Sequence, residues 1–451
     1  MAKQKTIFIC SECGNNQPRW IGCCPECQSW NSYVEETIQP LGTIQTNAAP
    51  QKTTKLLRFN EIVSDSKKRL TSNIHEWDRV MGGGILPGSF VILTGDPGIG
   101  KSTLLLQVAD KLAVEHMVLY FSSEESLEQV KSRTERLGLS NTKLLFSDEP
   151  CLEAIIDMTL AQKPDLIILD SIQNCHFSSQ PKTMPGTIAQ LREAAFYLMR
   201  LAKENNIAVL VTGHITKDGQ MAGPKLLEHM VDAVFYLQGE DRWHMRILRS
   251  VKNRFGTINE IGFFEMQEQG LIEIANLNQQ LLKDSSSTPG ATLVCCLEGS
   301  RPILLELQSL CVESRFGIPQ RVVTGIDQKR VILIAAILEK YLHIKFSSYD
   351  IFFKVSGGVK IQESSADLGI ALSLLSNYFQ KPLPEKTLAI GEVSLTGLIS
   401  ISNQMGTRIK EAEKFGITKI LTTKDQKNLG NTTKIIGFKN VYELLGLFPE
   451  E

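Results

Sequence analysis

The sequence lacks any long hydrophobic run. A membrane-spanning helix needs about 18 or more consecutive apolar residues, and Val331–Leu338 is among the longest uninterrupted apolar stretches of the chain. The N-terminus carries only a short apolar patch after its first lysines, too short for a secretory signal peptide. We therefore expect no membrane partner and a location in the cytosol, where cysteines serve as thiols or metal ligands rather than as disulfides.

An excess of charge of either sign is also missing. Lysine and arginine number 48 against 49 acidic residues, a formal net charge of −1. Such neutrality neither favours nor excludes nucleic acid, because acidic residues elsewhere can offset a basic face. Hydrophobic residues make up 42% of the chain and charged residues 22%, which excludes disordered and collagenous classes. We find no repeat at the period of a solenoid.

Composition divides the chain into five segments. Residues 1–36 are rich in cysteine, glycine and tryptophan, and residues 37–58 contain no acidic residue and are typical of a flexible linker. In residues 59–274 short apolar runs alternate with helical patterns, which predicts a wound α/β sheet. Residues 275–288 are polar and predict a second linker, and residues 289–451 predict a further α/β domain.

Four apolar runs of strand length lie in the central segment. They are Phe90–Thr94, Val118–Ser122, Leu166–Leu169 and Ala208–Thr212. Because strands buried on both faces are continuously apolar rather than alternating, these runs predict a mostly parallel sheet with helices on both faces.

A phosphate-binding loop follows the first of these strands. Residues 95–102 match G-x-x-x-x-G-K-[ST] and lie between a predicted strand and a predicted helix. Successive backbone N–H groups of such a loop can surround a phosphate, and the helix N-terminus adds its positive dipole. We expect Lys101 to reach the β- and γ-phosphates of ATP and Ser102 to bind Mg²⁺. The candidate nucleotide-binding residues are Gly95, Asp96, Pro97, Gly98, Ile99, Gly100, Lys101, Ser102 and Thr103.

Carboxylates follow two other strands. Asp170 ends the run Leu166–Leu169, where a second ligand for Mg²⁺ is expected. Glu124 and Glu125 follow the run Val118–Ser122, which we expect to lie next to the phosphate loop. We assign Glu124 as the residue that orients and polarises the attacking water, with Glu125 as the alternative. The competing interpretation is a carboxylate that stabilises a helix N-terminus.

The N-terminal cysteines form two C-x-x-C pairs. Cys10 and Cys13 are separated by ten residues from Cys24 and Cys27, and four thiolates in two tight turns provide tetrahedral ligands for Zn²⁺. A site with four cysteines leaves no open position, so the metal would be structural. Cys23 adjoins Cys24 and is the alternative ligand, and a thiol redox pair is the alternative chemistry.

These motifs together resemble the bacterial RadA (Sms) family of recombination and repair ATPases along essentially the whole chain. In chain order they are Cys-Ser-Glu-Cys-Gly at 10–14, Cys-Pro-Glu-Cys at 24–27, Trp-Asp-Arg-Val-Met-Gly-Gly-Gly at 77–84, Pro-Gly-Ser at 87–89, the phosphate loop, Glu-Glu-Ser at 124–126, Leu-Asp-Ser-Ile-Gln at 169–173, Gly-His-Ile-Thr-Lys-Asp-Gly at 213–219 and Lys-Asn-Arg-Phe-Gly at 252–256. The resemblance implies an α/β, RecA-like P-loop ATPase core between an N-terminal four-cysteine zinc module and a C-terminal Lon-protease-like α/β domain. Ser123 departs from the family pattern, which usually has glycine there, and Val355-Ser356 stands where a doubled hydrophobic is more usual. We expect neither departure to touch the phosphate or metal chemistry.

Basic residues predict a DNA surface. The segment 242–254 contains five Lys or Arg residues and no acid, and on a strand Arg242, His244 and Arg246 would share one face. A solvated strand face is the alternative. Two long loops, 174–185 and 216–227, leave the sheet on its ligand side, and the resemblance implies that they line a channel for single-stranded DNA. The candidate DNA contacts are Lys182, Lys217, Lys225, Arg246, Lys252 and Arg254.

The resemblance implies a DNA-dependent, helicase-like ATPase that binds single-stranded and branched DNA, works with the RecA strand-exchange protein and promotes branch migration in homologous recombination. It also implies a homo-oligomeric ring, expected to be a hexamer, in which Lys252 and Arg254 act on the ATP of the neighbouring subunit; a surface turn whose cations meet DNA phosphate or solvent is the alternative. We expect Gly256 to permit the tight turn that projects both side chains outward. The rivals are an ATP-dependent Lon-type protease and a nucleotide-switched scaffold. The family alignment puts Asp367, rather than Ser364 or Ser365, at the position of the Lon nucleophile, so we expect no proteolysis.

Overall fold

The computed structural model of the protein describes residues 5–10, 15–26, 28–38, 68–139, 141, 143–178, 186–214, 227–240, 245–274, 276–282, 287–315, 317, 319–356, 359–426 and 432–449. The chain divides into two compact units. The first comprises Met1–Gln238, Leu248–Ile258 and Met266–Ile272, and the second comprises Gly239–Ile247, Asn259–Glu265 and Glu273–Glu451. Among the described residues, no helix is long and apolar enough to cross a membrane.

The N-terminal residues form a small antiparallel sheet in the order β2-β1-β3. Its strands are β1 Lys5–Cys10, β2 Asn16–Gln17 and β3 Tyr33–Ile38. Cys10, Cys24 and Tyr33 are buried together in its interior. The main-chain N–H of Cys10 donates to the carbonyl oxygen of Asn15 at 2.8 Å, and that of Cys24 donates to the carbonyl oxygen of Ser29 at 2.9 Å. So small an apolar core cannot stabilise a module by burial alone, which favours a metal as its support.

In the described residues, nine strands form the central sheet, in the order β12-β11-β10-β9-β4-β8-β7-β5-β6. The strands are β4 Phe90–Gly95, β5 Val118–Ser122, β6 Leu144–Ser147, β7 Leu166–Asp170, β8 Ala208–His214, β9 Ala233–Glu240, β10 Met245–Asn253, β11 Ile261–Gln267 and β12 Gly270–Glu273. The helices are α1 His75–Val80, α2 Lys101–Leu112, α3 Leu127–Arg136, α4 Leu152–Gln162 and α5 Ile188–Asn205.

The four strands predicted from apolar runs are confirmed as β4, β5, β7 and β8. Their pairing is parallel throughout: β4 with β8 and β9, β7 with β5 and β8, and β5 with β6. Every residue of β4, β5 and β7 is buried, because helices cover parallel strands on both sides. The predicted fold class of the central segment is therefore confirmed.

One expectation about the sheet is wrong. We expected the strand before Glu124 to lie next to the phosphate loop, but β8 and β7 separate it from β4. Strand β5 instead pairs with β7, and Ser122 is the register partner of Asp170. Glu124 still emerges near the phosphate loop, because the carboxyl ends of parallel strands share one edge of the sheet.

The basic segment forms a strand from Met245 onwards, β10, whereas Arg242 and His244 lie outside the described residues. Met245 and Ile247 are buried and Arg246 between them is half-buried, as the predicted alternation requires. Leu248 is buried as well, so the alternation does not continue along the strand.

In the described part of the second unit, seven strands form a sheet in the order β15-β16-β14-β13-β17-β20-β21, and two more form a small hairpin. The strands are β13 Ala291–Glu298, β14 Arg301–Glu313, β15 Arg321–Thr324, β16 Tyr349–Val355, β17 Thr387–Ala389, β18 Glu392–Val393, β19 Ile399–Ser400, β20 Lys419–Thr423 and β21 Lys434–Phe438. The helices are α6 Leu277–Leu282, α7 Gln328–Leu342, α8 Asp367–Tyr378 and α9 Met405–Lys414.

Helix α6 corrects the prediction of a linker at residues 275–288. Leu277 and Leu281, one turn apart, are buried in the core of the second unit, and Asn278 accepts a hydrogen bond from the main chain of Leu304. The polar composition of this segment concealed a short helix with one apolar face, because only two leucines are needed to anchor it. Helix α6 thus belongs to the second unit.

Candidate functional site

The phosphate loop has the shape that its sequence predicts. Gly95 ends β4, where a side chain would place its Cβ 2.3 Å from the carbonyl oxygen of Leu237. Gly98 and Gly100 have φ angles of 75° and 110°, which glycine adopts without strain. A Cβ at Gly98 would meet no atom within 4 Å, so this backbone borders open space of the kind that a phosphate needs.

Lys101 spans this loop from the first turn of α2. Its Nζ donates hydrogen bonds to the carbonyl oxygens of Gly95, at 2.9 Å, and Asp96, at 3.0 Å. Burial lowers the pKa of this ammonium, while the charges of Asp170, Glu124 and Asp96 oppose that shift. The structure thus brings Lys101 together with both of the carboxylates that the sequence assigns to the site.

Asp170 lies at the carboxyl end of β7 and is buried. Thr212 Oγ1 donates to its Oδ1 at 2.6 Å, and Tyr120 Oη donates to its Oδ2 at 2.8 Å. Burial, reinforced by the Asp170 charge, raises the pKa of Tyr120 well above its ordinary value, so the phenol remains a proton donor. Both carboxylate oxygens are oriented in this way, and each keeps a further lone pair.

Mg²⁺ fits this donor set. The carboxylate of Asp170 and the hydroxyl of Ser102 are hard oxygen ligands of the type that Mg²⁺ prefers beside phosphate groups. Ser102 lies in the first turn of α2, directly after Lys101. Thr103, the last residue of the predicted nucleotide site, is half-buried in the same turn.

The two adjacent glutamates have different surroundings. Ser171 Oγ donates a hydrogen bond of 2.5 Å to Glu124 Oε1, and Glu124 is close enough to Lys101 to affect its pKa. Glu125 instead forms an ion pair with Arg133 of α3, and its main-chain N–H donates to Ser122 Oγ. The geometry therefore favours Glu124 over Glu125 as the residue that faces the phosphates.

Sequence reasoning missed four residues that support this site: Ser123, Ser171, Tyr120 and Thr212. Tyr120 and Thr212 were detectable as isolated polar residues within apolar strands. Ser123 departs from the family pattern, and we expected it not to touch the phosphate or metal chemistry. That expectation stays a prediction. The Ser123 hydroxyl bonds to the main chain of Ser171, the residue after Asp170.

Lys252 and Arg254 lie near the amino end of β4, whereas the phosphate loop follows the carboxyl end of that strand. Arg254 N donates to the carbonyl oxygen of Asp232, and the Asp232 carboxylate accepts a 3.0 Å hydrogen bond from the main chain of Phe90, the first residue of β4. The loop follows the last residue of β4, and six residues of strand span about 20 Å. These cations cannot reach the phosphates bound by their own chain.

The two cations also differ in their contacts. Lys252 Nζ donates to the carbonyl oxygens of Glu228 and Val231, at 2.6 and 2.9 Å. The Arg254 guanidinium is 3.5 Å from the buried carboxylate of Asp232, and its side chain is 59% exposed. We expected Gly256 to permit a turn that projects both cations outward. Arg254 agrees with that prediction, but Lys252 is held by main-chain oxygens.

Gly256 has a different role from the one predicted. It is not among the glycines with positive φ, and a Cβ there would lie 3.2 Å from the Cα of Gly82 and 3.0 Å from the Asn253 amide nitrogen. Close packing of two backbones, rather than turn geometry, explains the glycine at this position.

Three of the six predicted DNA contacts, Lys182, Lys217 and Lys225, lie outside the described residues. Arg246 is half-buried, and its Nη1 donates to the carbonyl oxygen of the preceding Met245 at 3.1 Å. The two loops nevertheless start at the carboxyl ends of β7 and β8, the strands that carry Asp170 and Thr212.

The N-terminal module fits a zinc site as far as its described residues extend. Cys13 and Cys27 lie outside them, and among the residues that are described no three metal-binding groups gather. Cys24 is fully buried and Tyr33 Oη donates to its sulfur at 3.5 Å, a contact that stabilises a thiolate. Cys23 is less buried and its thiol donates to the carbonyl oxygen of Gln28, so the geometry favours Cys24 over Cys23.

Sequence models of two families match the chain. The AAA domain family matches residues 55–220, and the rubredoxin metal binding domain family matches residues 8–35. The first range contains the phosphate loop, Glu124 and Asp170, and the second contains all four predicted zinc ligands. The predicted P-loop ATPase core of RecA-like α/β type and the metal-binding module before it are thus confirmed, whereas the Lon-protease-like assignment of residues 289–451 stays a prediction.

Solved structures that resemble the chain include the ATPase domain of G40P and the RadB recombinase. The first has a TM-score of 0.41 and 15% identity over 47% of this chain and 93% of that one. The second has a TM-score of 0.36 and 21% identity over 46% of this chain and 99% of that one.

Curated relatives match almost the entire length. DNA repair protein RadA of Halalkalibacterium halodurans is 43% identical over 99% of both chains. The RadA proteins of Streptococcus pyogenes serotype M3 and of Bacillus subtilis are 42% and 41% identical, again over 99% of both chains. Identity at this level along the whole chain shows that the protein belongs to the RadA family of DNA repair proteins.

Proposed function

We propose that this protein is a DNA-dependent ATPase that moves on single-stranded and branched DNA and promotes branch migration during homologous recombination and repair. The observation that carries this proposal is the meeting of Lys101, Asp170 and Glu124 at one edge of the sheet, beside a phosphate loop. We further propose that it works in the cytosol, with the RecA strand-exchange protein as a partner.

The geometry supports a separate role for each of these residues in ATP hydrolysis. The backbone N–H groups of the loop and Lys101 bind the phosphates and neutralise charge that develops on the transferring group. Ser102 and Asp170 would hold Mg²⁺, which would supply positive charge that offsets the negative charge of the phosphates. Glu124 orients the attacking water and accepts its proton. Tyr120 and Thr212 keep the Asp170 carboxylate in place, since each donates a hydrogen bond to one of its oxygens.

A ring completes the site. Arg254 is exposed and far from its own phosphate loop, which supports a role at the ATP of a neighbouring subunit, as in ring-shaped motors of this fold. A homo-hexamer is the form that the family resemblance implies. The contacts of Lys252 with Glu228 and Val231 support a linking role between β10 and the segment after the second loop, in addition to any contact with phosphate.

DNA is proposed to bind along the loops 174–185 and 216–227, through phosphate contacts of Lys182, Lys217 and Lys225. Both loops leave the strands that hold the Mg²⁺ ligand or its support. This placement supports a coupling between ATP hydrolysis and DNA contact, which a motor needs. Arg246 and Lys252, on β10, and Arg254, just after it, are candidate further DNA contacts.

The protease alternative is disfavoured by the second unit. A Lon-type enzyme needs a serine activated by a lysine that can lose its proton. Asp367, at the predicted nucleophile position, is ion-paired with Arg330. Ser365 is buried and accepts a hydrogen bond from Arg408, whose guanidinium cannot serve as a base. We therefore propose that this unit is proteolytically inactive and serves in assembly.

Single-stranded DNA is expected to raise ATP turnover several-fold, and the protein is expected to displace a strand from a forked duplex only while ATP is hydrolysed. Turnover with no DNA, with single-stranded DNA and with forks would be measured in parallel with strand displacement. The Lys101→Ala variant serves as the control for contaminating activities. ATP turnover indifferent to DNA would contradict the proposal, and stimulated turnover without displacement would favour the nucleotide-switched scaffold.

Zinc is expected at about one ion per chain. Cys24→Ser should abolish binding because it removes a buried thiolate, whereas the adjacent Cys23→Ser should retain the metal. Cys13→Ser is predicted to behave like Cys24→Ser. Metal analysis of purified chains gives the zinc content, and ATP binding should persist in all three variants because residues 37–58 separate the modules. Iron in place of zinc, or zinc retained in Cys24→Ser, would refute the four-thiolate site.

A further inference from the structure

Beyond the residues that contact phosphate or metal, the structure points to a hydroxyl clamp that positions the catalytic carboxylate. We propose that Ser123, acting through Ser171, fixes the Glu124 side chain in the orientation that hydrolysis requires. This inference rests on the proposed role of Glu124 in ATP hydrolysis. Ser123 and Ser171 are positioning residues in this scheme, since neither needs to touch the nucleotide.

The clamp begins where regular strand pairing ends. The register of β5 and β7 finishes at Ser122 and Asp170, after which Ser123 N donates to the Asp170 carbonyl oxygen at 2.8 Å. Beyond this point the Ser123 hydroxyl replaces a main-chain partner. It accepts from Ser171 N at 2.9 Å and donates to Ser171 O at 2.7 Å. One hydroxyl therefore bonds to both polar groups of the Ser171 backbone beyond the end of the ladder, and the Ser171 carbonyl oxygen also accepts a hydrogen bond from the Cys175 thiol at 3.7 Å.

Ser171 transmits this constraint to Glu124. Ser171 is fully buried, whereas Glu124 is exposed. An exposed glutamate has several rotamers of similar energy, so a fixed donor decides which one it occupies. Ser171 Oγ is such a donor, because its own backbone is held by Ser123 and its hydrogen goes to Glu124 Oε1. The two serines thus hold the Glu124 carboxylate in one orientation relative to the ends of β5 and β7.

The contacts that position Glu124 are separate from those that hold Lys101 and Asp170, the residues proposed to bind the nucleotide and its Mg²⁺. Lys101 contacts the loop carbonyls of Gly95 and Asp96, and Asp170 is oriented by Tyr120 and Thr212. Those contacts involve neither serine side chain. Loss of the clamp should therefore lower kcat through misplacement of Glu124 and leave the KM for ATP and the affinity for nucleotide unchanged.

The test uses the full chain with Ser123→Ala and Ser171→Ala, each alone and combined with Glu124→Gln. Each single change should lower kcat by about 10- to 100-fold, the range found for residues that orient metal-ligating side chains through a hydrogen bond. Ser171→Thr keeps the hydroxyl and should restore most of the loss. Ser126→Ala is the matched control, because Ser126 caps α3 three residues further along the chain without bonding to Glu124; its kcat should stay near that of the unaltered protein.

The decisive readout is the dependence on Glu124. In the Glu124→Gln background, the serine changes should have no further effect on the residual single-turnover rate, because there is no carboxylate left to position. An equal fractional loss in both backgrounds, a raised KM or weaker nucleotide binding would overturn the clamp. Full turnover in Glu124→Gln would instead overturn the role proposed for Glu124, and the clamp with it. Full turnover in both serine variants, with Glu124→Gln inactive, would overturn the clamp alone.

Discussion

Lys101→Ala is expected to reduce ATP turnover by at least about 10²- to 10³-fold. The lysine ammonium is the cation that the structure places inside the phosphate loop, 2.9 Å from the carbonyl oxygen of Gly95 and 3.0 Å from that of Asp96. It is buried, so water screens its charge poorly and its attraction for a phosphate is correspondingly strong. Alanine removes the charge that offsets negative charge developing on the transferring phosphoryl group.

The matched control for this experiment is Lys111→Ala, in the last turn of the same helix. Lys111 is exposed and distant from the loop, so its loss should leave turnover unchanged. Steady-state phosphate release would be measured for both variants, with thermal unfolding as the check that each is folded. Turnover close to normal in folded Lys101→Ala protein would remove the phosphate loop from the proposed mechanism.

The parts of this site that were predictable depend on short stretches of sequence. Strands β4, β5, β7 and β8 were visible because strands covered on both faces are continuous apolar runs. The loop from Gly95 to Ser102 was visible because the geometry of phosphate binding constrains successive residues. Asp170 followed from these two facts, since an acidic residue at the end of a strand is meaningful only beside a phosphate loop.

The parts that were missed depend on pairing between distant segments. No local pattern shows that β5 pairs with β7 rather than with β4, and that pairing is what brings Ser123 to Ser171. Asp232 was missed for the same reason: its carboxylate joins the start of β4 to Arg254, residues far apart in the chain. Helix α6 was missed because two buried leucines in a polar segment give too weak a periodicity.

Arg254→Ala is expected to lower ATP turnover by about 10³-fold or more, because an arginine supplied by a neighbouring subunit can contribute 10³–10⁵ in rate. Its guanidinium lies beside the buried Asp232 carboxylate, which also binds Lys203 Nζ at 2.5 Å. Asp232 keeps a positive partner when Arg254 moves towards the phosphate of a neighbour, so release of the arginine leaves no unpaired buried charge. Arg200→Ala, the loss of an exposed arginine on α5, is the control and should leave turnover unchanged.

Mixing variants distinguishes a role across the subunit boundary from a role in DNA binding. Rings made only of Lys101→Ala chains or only of Arg254→Ala chains should not turn over ATP. In a ring assembled at random from equal amounts of the two variants, about one quarter of the subunit boundaries pair an intact phosphate loop with an intact arginine. Mixed rings should therefore recover part of the turnover, whereas Lys101→Ala mixed with the doubly substituted chain should recover none. The mixing would be verified by subunit exchange between labelled chains. If proven mixed rings stay inactive while Arg254→Ala has lost affinity for single-stranded DNA, Arg254 belongs to the DNA surface instead. A contact with DNA phosphate acts within its own subunit and cannot be supplied by a neighbour.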